Sequence, residues 1–308
     1  MKGFTSCLIA CVLLVTLSPC AGAQVGEIGK IDWANGYIIG YGFGTAQPGM
    51  NKAIARITSI RAAKVDAMRN LLETVKGVSI DSYTKVQDFV VQSDAVSARV
   101  SGIIKGAHVI DQETTWEDNL PLSKVTMGIC INSEGDKCTP GTSLVSALDL
   151  AAFRDRLRIP QKEFSLPADT PAPPEPAPVQ PLPEDFDYHY DSVKPTSGVV
   201  FRLMGFYFNK VVLPVVGTKD NGDIKTVYSV NRVEPRIVRT YGIIRYADKL
   251  KQIEEIGAVG NNFIIVPVQG VTEYNMIVIA RDGARKIYET TRHGNDYLNK
   301  AKVVICYE

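Results

Sequence analysis

Residues 33–77, WANGYIIGYGFGTAQPGMNKAIARITSIRAAKVDAMRNLLETVKG, decide the fold of the first part of the chain. The dipeptide Asn35-Gly36 lies between apolar positions, which is the strongest short signal for a β-hairpin, so a strand over residues 37–44 is expected after it. Over residues 51–76 apolar residues recur every three to five positions, which predicts one long amphipathic helix. The apolar face of that helix consists of Ile54, Ile57, Ile60, Val65, Met68, Leu72 and Val75.

The end of this helix and the elements after it can also be predicted. Gly77 is expected to end the helix by adopting a left-handed backbone. Strands are predicted over residues 78–84, 103–114 and 124–131, with a mixed segment over residues 87–100. The apolar residues between Leu144 and Ala152 indicate a closing helix before Pro160.

The composition bounds the fold and argues against one class of partner. A chain of 308 residues with 45% hydrophobic residues buries one large core or two modest ones, so two domains are expected. The 34 lysines and arginines are balanced by 33 acidic residues. The chain therefore lacks the basic excess with which nucleic-acid-binding proteins neutralise phosphates.

The N-terminus has the pattern of a cleaved export signal. Lys2 is followed by an almost wholly apolar run over residues 8–17, and a small-residue cleavage site ends at Ala23, ahead of Gln24. The run is shorter than the about 20 apolar residues that a membrane-spanning helix needs. We therefore expect secretion, with a periplasmic or outer-membrane-associated location.

Two alternatives to simple secretion stay open. The first is that the apolar run is a buried helix, although such a helix normally shows a polar face. The second is a lipid anchor on Cys20, because residues 17–20 resemble the site at which bacterial lipoproteins are cut and acylated. Pro19 fits that site poorly. Contact with a membrane is expected only if Cys20 carries a lipid.

Removal of residues 1–23 leaves three cysteines, Cys130, Cys138 and Cys306. In an oxidising compartment, two cysteines on either side of a turn favour a local disulfide, and residues 132–137 are rich in turn formers. The alternation over residues 124–131 places Cys130 on the exposed face of its strand. We predict a bridge between Cys130 and Cys138, with Cys306 free. Free thiols and a metal site are the alternatives.

A proline-rich segment divides the chain. Prolines recur between Pro160 and Pro183 with few core-forming residues, and such a segment prefers an extended form that can hold two domains about 50 Å apart. The acidic and tyrosine residues over 185–191 are interpreted as a solvated extension of it. The predicted organisation is a signal peptide at 1–23, a mixed α/β domain at 24–158, a linker at 159–197 and a second α+β domain at 198–308.

The second domain is predicted to mix strands with few helices, which is typical of the α+β class. The predicted strands lie at 199–203, 213–216, 225–230, 263–268, 276–279 and 303–307. The predicted helices lie at 246–256 and 284–291.

The glycines of residues 40–44 do not form a phosphate-binding loop. Gly40, Gly42 and Gly44 alternate, whereas dinucleotide binding needs its third small residue three positions after the second. Alternating glycines and aromatic residues more often mark a strand whose bare backbone is packed over. No cofactor is predicted.

No other motif predicts catalysis. The three histidines, His108, His189 and His293, lie far apart without metal-binding spacing or a nucleophile elbow, and the carboxylates of Glu254 and Glu255 point to different sides of a helix. Four arginines could bind an anion or cover apolar neighbours as ordinary surface residues: Arg232, Arg236, Arg239 and Arg245.

An ordered series of motifs over roughly residues 30–150 resembles the bacterial membrane-associated lipoprotein family named for its twenty-kilodalton type member. The series includes Trp33-x-Asn35-Gly36, Gly40-x-Gly42, Ala62-Ala63-Lys64-Val65-Asp66-Ala67, Asn70-Leu71-Leu72-Glu73, Ser93-Asp94, Gly102-Ile103-Ile104-Lys105-Gly106-Ala107 and Val125-Thr126-Met127. The same part is similar to the N-terminal domain of flagellar assembly protein T, which belongs to a ring around the flagellar basal body. The second domain resembles the C-terminal half of longer lipoprotein-family members. The resemblance implies an exported, non-catalytic envelope protein.

Two hypotheses about function follow from these observations. The first is an envelope interaction or assembly protein that binds other envelope proteins, with components of the flagellar basal body among them; a homo-oligomer stays open. The second is an extracytoplasmic hydrolase that acts on cell-wall or lipid material. A clustered catalytic constellation in a deep pocket favours the enzyme, whereas exposed apolar surfaces favour the binding protein.

Overall fold

The computed structural model describes residues 27–133, 138–139, 141–150, 162–165, 186, 188–292 and 295–308. Within these residues seven α-helices and eleven strands form two regions of mixed secondary structure, which confirms the predicted α+β class. The predicted signal peptide and most of the predicted linker lie outside the described residues.

The first region is an antiparallel sheet with a long helix packed on one face. Its elements are β1 (Gly29–Asp32), β2 (Tyr37–Thr45), α1 (Lys52–Lys76), α2 (Val86–Gln92), α3 (Asp94–Lys105), β3 (His108–Glu117), β4 (Leu120–Cys130) and α4 (Leu144–Leu148). The strand order is β1-β2-β4-β3, and every neighbouring pair is antiparallel. The predicted hairpin joins β1 to β2: Asp32 pairs with Tyr37, and Gly36 in the turn has a φ of 72°, which favours glycine.

Helix α1 has the predicted length but buries a different face. Its N-cap is Asn51, whose Oδ1 accepts a hydrogen bond from the N–H of Ala53 at 2.9 Å. The buried residues repeat at intervals of four: Ala55, Ser59, Ala63, Ala67, Leu71 and Val75. The side chains of Ile54, Ile57 and Val65 are 58%, 52% and 61% exposed, so their assignment to a buried apolar face is wrong.

The glycines of β2 explain why the small face of α1 is buried. A Cβ atom on Gly42 would lie 2.1 Å from the backbone nitrogen of Ala67 and 2.2 Å from the carbonyl oxygen of Ala63. The main chain of α1 therefore rests directly on the strand. At this separation only small helix side chains fit against β2, because protein interiors leave no room for extra volume. The interpretation of Gly40, Gly42 and Gly44 as a packed strand is confirmed.

The segment after α1 is more helical than predicted. Gly77 has a φ of −73°, so the predicted left-handed backbone is wrong. Residues 78–84 form a loop with one isolated bridge between Ser79 and Lys85 instead of a strand. The mixed segment is resolved into α2 and α3, and the strand predicted to begin at residue 103 begins at His108 because α3 continues to Lys105. Val96, Val100 and Ile104 are buried at helical spacing, a period that short apolar runs do not reveal.

The second region is a mixed seven-stranded sheet with three helices. Its elements are β5 (Gly198–Arg202), β6 (Val216–Asp220), β7 (Asp223–Tyr228), α5 (Pro235–Tyr241), β8 (Arg245–Ala247), α6 (Gln252–Ile256), β9 (Phe263–Val271), β10 (Ile277–Ile279), α7 (Arg281–Arg292) and β11 (Val303–Cys306). The strand order is β7-β6-β10-β9-β5-β11-β8. Strand β5 pairs in parallel with both β9 and β11, and β11 pairs in parallel with β8.

Most of the predictions for this region agree with the structure. Five of the six predicted strands overlap β5, β7, β9, β10 and β11 closely. The segment 213–216 only touches the start of β6, and the helix predicted over 246–256 is split between β8 and α6. Helix α5 was not predicted. It begins with Pro235 at its first turn, where proline is tolerated because that N–H has no partner in the helix.

The described end of the predicted linker packs on the second region. The ring of Tyr188 stacks on Phe263 with centroids 4.2 Å apart, and its hydroxyl donates to the carbonyl of Phe263. The side-chain amide of Asn262 donates to the carbonyls of Asp191 and Lys194 at 3.0 and 3.1 Å. The interpretation of residues 185–191 as a solvated run is therefore wrong for its described tyrosines.

The two regions are in direct contact. The N–H groups of Val212 and Leu213 donate to the carbonyls of Ser79 and Ile80 at 3.0 and 2.8 Å, and the N–H of Ser133 donates to the carbonyl of Thr240 at 2.9 Å. Buried apolar residues from both regions form one continuous cluster. The expectation that a spacer holds two domains apart is wrong, because each region completes part of the other's core.

Candidate functional site

The predicted disulfide pair is present at the end of β4. The Sγ atoms of Cys130 and Cys138 are 2.02 Å apart and their Cα atoms are 5.9 Å apart, so the two residues are bridged. Both are buried, with 5% and 8% exposure, which corrects the expectation that Cys130 lies on an exposed face. The bridge joins the end of β4 to the part of the chain that precedes α4. It therefore has a structural role.

The remaining described cysteine is not a reactive thiol. Cys306 is unbridged and fully buried in β11, and burial raises the pKa of its thiol to about 11. A thiol with a raised pKa is a poor nucleophile, because only the thiolate reacts. The other sites named from the sequence, Cys20, Ala23 and Gln24, lie outside the described residues.

Three of the four arginines named from the sequence are engaged within the chain, and the fourth, Arg236, is exposed on α5. Arg232 contacts the carboxylate of Asp296 at 2.9 Å within the second region. Arg239 contacts the carboxylate of Asp149 at 3.0 Å, and this ion pair joins the two regions. The Nη1 group of Arg245 donates to two backbone carbonyls at 2.7 and 2.8 Å. These contacts favour the interpretation of the cluster as structural surface arginines over an anion site.

The histidines and paired glutamates are not brought together into a site. His108 packs edge-on against Tyr37 in the first region, His189 is exposed in the second, and His293 lies outside the described residues. Glu254 and Glu255 are exposed on α6. Over the part of the chain that the structure describes, no group of three histidine, cysteine or acidic residues is placed to hold a metal ion. No helix among those residues has the length and apolar character to cross a membrane.

The outward face of α1 is an exposed apolar surface with basic neighbours. Ile54, Ile57, Arg61 and Val65 follow one another at intervals of three and four, so they lie on one side of the helix, opposite the buried small residues. We call these four residues the α1 stripe. Residues 46–65 contain four basic residues and no acidic residue. The stripe therefore combines more than half-exposed aliphatic side chains with an uncompensated positive charge.

An open cleft of about 590 Å³ lies where the two regions meet. We call it the junction cleft. The first region contributes Trp33, Ser79, Asp81 and Ser82, and the second contributes Tyr207, Phe208, Asn209, Lys210, Val211, Glu273, Asn275 and Tyr307. Tyr207 is 80% exposed. These residues come from distant parts of the chain, and no spacing in the sequence indicated that they would meet.

A comparison with protein-family models matches the second region of the chain. Residues 198–308 match the family model described as Treponema pallidum Tp0624, second domain. The second region is thus similar to a domain of a bacterial protein, and its first matched residue coincides with the start of β5. A comparison of the chain with curated proteins found no match.

Proposed function

We propose that this protein is an exported, non-catalytic cell-envelope protein that works by binding other envelope proteins. Its place is the periplasm or the periplasmic side of the outer membrane, and the flagellar basal body is one setting for its assembly role. The observation that carries the proposal is the α1 stripe, a set of exposed aliphatic residues on a long and tightly packed helix.

The α1 stripe has the properties of a protein-binding surface. Contiguous exposed apolar residues are unfavourable in water and commonly mark interaction sites. Helix α1 is held against β2 by direct backbone contact, so the stripe is presented on a rigid support and little ordering entropy is lost on binding. A partner with an apolar centre and an acidic rim complements it. A second copy of this chain fits less well, because Arg61 would face its own like charge.

Four further observations support export and an envelope role. The N-terminal sequence has the pattern of a cleaved signal, and the Cys130–Cys138 bridge suits an oxidising compartment. The first region resembles the twenty-kilodalton lipoprotein family and the N-terminal domain of flagellar assembly protein T. The family match of the second region is to a bacterial protein. Fold-level likeness alone carries little functional weight, so the surface is what we test.

Replacing Ile57 by aspartate is expected to weaken partner binding without unfolding the protein. Ile57 is 52% exposed, so the free energy of unfolding should change by less than about 0.5 kcal/mol, whereas a carboxylate in the centre of an apolar interface should weaken binding at least about tenfold. The measurement is crosslinking in isolated envelopes, identification of the captured protein by mass spectrometry, and titration of that purified protein.

Val91→Asp is the matched control, because Val91 is an exposed aliphatic residue, 86% exposed, on α2 instead of α1. The proposal requires that Val91→Asp binds the identified partner as the parent does. Equal binding by Ile57→Asp and the parent would show that the α1 stripe is not the interface.

The mature protein is expected to begin at Gln24. This follows from the small-residue site that ends at Ala23 and from the poor fit of Pro19 before Cys20. Intact-mass spectrometry of protein isolated from cells decides the point. An acylated Cys20 at the N-terminus would contradict secretion and place the protein on a membrane anchor, and an uncleaved N-terminus would contradict export itself.

A further inference from the structure

We infer that the junction cleft is a second binding site, distinct from the α1 stripe, and that it takes the cationic side chain of a lysine or arginine in a partner's peptide segment. The inference rests on the shape, the aromatic surface and the charge of the cleft. It does not depend on the proposed role of α1.

The size and position of the cleft suit a short peptide segment. A volume of about 590 Å³ falls within the range of protein ligand sites, and such sites occur preferentially where domains meet. Because the cleft is open to solvent, a side chain can enter while its backbone stays on the surface.

The aromatic surface of the cleft is exposed and held in position. The hydroxyl of Tyr207 donates to Oδ1 of Asn209 at 2.7 Å, although the ring is 80% exposed. Asn209 is fixed in turn by Asn275: its N–H donates to Oδ1 of Asn275 at 2.8 Å, and Nδ2 of Asn275 donates to its carbonyl at 2.9 Å. Asn275 has a φ of 55°, a left-handed conformation that these two hydrogen bonds hold. A large exposed ring with a fixed orientation is a preorganised contact surface.

The charge of the cleft selects a cation. Asp81 and Glu273 both line it, one from each region, and the loops that carry them touch where Ser82 donates a hydrogen bond to the carbonyl of Tyr274. The cation that lines it, Lys210, is already paired: its Nζ lies 2.9 Å from a carboxylate oxygen of Asp248. The cleft therefore has an excess of negative charge next to aromatic faces, whose quadrupole also attracts cations.

Two local contacts show that these acidic groups are held in place. Oδ1 of Asp81 accepts hydrogen bonds from the N–H groups of Tyr83 and Thr84, both at 2.8 Å. Glu273 accepts a hydrogen bond from the neighbouring Tyr274. This hydrogen bond and the negative charge of Glu273 together raise the pKa of the Tyr274 hydroxyl. Both carboxylates therefore belong to ordered loops at the mouth of the cleft.

Lys210 shows that the aromatic residues beside the junction cleft can accommodate an ammonium group. Its Nζ lies 4.6 Å from the ring centroid of Tyr307 and 5.8 Å from that of Tyr246, with Asp248 as its counter-ion. Aromatic faces with one carboxylate thus already hold a primary ammonium within the chain. Tyr207 with Glu273 and Asp81 offers the same groups to an incoming side chain, with a ring that is far more exposed.

The test is calorimetric titration of the full-length protein at low ionic strength with end-blocked hexapeptides. One carries arginine, one lysine and one glutamine at the same central position. We expect the arginine and lysine peptides to bind at least about tenfold more tightly than the glutamine peptide. Raising the salt concentration should weaken the binding of both cationic peptides. Equal binding of the three peptides, or no binding of any, would overturn the inference.

Three variants connect the binding to the cleft. Tyr207→Ala and Glu273→Gln should each weaken binding of the arginine peptide about tenfold. Tyr207→Phe should weaken it less than Tyr207→Ala does, because it keeps the aromatic face and loses only the hydrogen bond to Asn209. Phe43→Ala, at a half-exposed aromatic residue on β2, is the control and should bind as the parent does. Unchanged affinity in both Tyr207→Ala and Glu273→Gln would show that the peptide binds elsewhere.

A final arm separates a peptide from a small free cation. Free arginine amide and putrescine are titrated under the same conditions. If both small cations bind more weakly than the arginine peptide does, this supports a peptide segment as the partner. Binding as tight as that of the peptide would contradict it and assign the cleft to a small-molecule cation.

Discussion

Replacing Gly42 by alanine is expected to unfold the first region under conditions in which the parent is fully folded. The added Cβ would meet backbone atoms of α1 at 2.1 and 2.2 Å, and neither atom belongs to a flexible side chain that could move aside. Helix α1 would have to lift from the sheet along its small-residue face. Overpacking of a core usually destabilises by about 1–3 kcal/mol, and we expect about 3 kcal/mol or more here because two main-chain contacts are broken together.

The measurement is urea unfolding followed by tryptophan fluorescence. Both tryptophans belong to the first region: Trp116 on β3 reports that region, and Trp33, whose ring packs edge-on against Tyr246, also reports its contact with the second region. Gly102→Ala is the matched control, because a Cβ on Gly102 of α3 meets no atom within 4 Å. That change should stabilise by about 0.5–1 kcal/mol, since alanine favours a helix over glycine. If Gly42→Ala unfolds at the same urea concentration as the parent, the close packing described for α1 is incorrect.

Removing the disulfide in a Cys130→Ala/Cys138→Ala double variant should lower the free energy of unfolding by about 2.5 kcal/mol. This is the value that chain entropy assigns to a closed loop of about nine residues. The loop also takes part in the contact between the regions, because the N–H of Ser133 donates to the carbonyl of Thr240. Loss of the bridge should therefore weaken the contact between the two regions as well as the first region itself.

Reductant provides the control for this effect. Dithiothreitol should lower the melting temperature of the parent toward that of the double variant and leave the double variant unchanged. Cys306 is buried and unbridged in both proteins, so it should not contribute to the difference. A parent protein whose two thiols react with an alkylating reagent without reduction would contradict the bridge.

The length and ends of α1 could be predicted from the sequence, but its buried face could not be taken from hydrophobicity alone. Isoleucine ranks above alanine in every measure of apolar character, yet the side that is buried is set by how closely the helix approaches β2. The necessary signals were present as alternating glycines on the strand and as small residues at intervals of four on the helix. Their meaning depends on pairing the two patterns, which is a tertiary property.

The disulfide could be predicted because its two cysteines are close along the chain and flank a turn. The junction cleft could not be predicted, because Asp81, Tyr207 and Glu273 are distant in sequence and meet only where the regions pack together. The same contact between regions was missed because a proline-rich composition indicates extended chain and gives no information about what its neighbours touch.

The place of β11 in the second sheet sets an order for the maturation of the protein. This strand lies between β5 and β8, so the first strand of the region stays without one neighbour until residues 303–306 have been synthesised. The first sheet, by contrast, has all its strands once residue 130 has emerged. The early half can therefore fold first and offer the backbone carbonyls of residues 79–80 as a surface on which the late half closes. Until then, the incomplete late sheet presents open strand edges, which makes the interval before β11 arrives the time of greatest exposure to proteolysis and to aggregation.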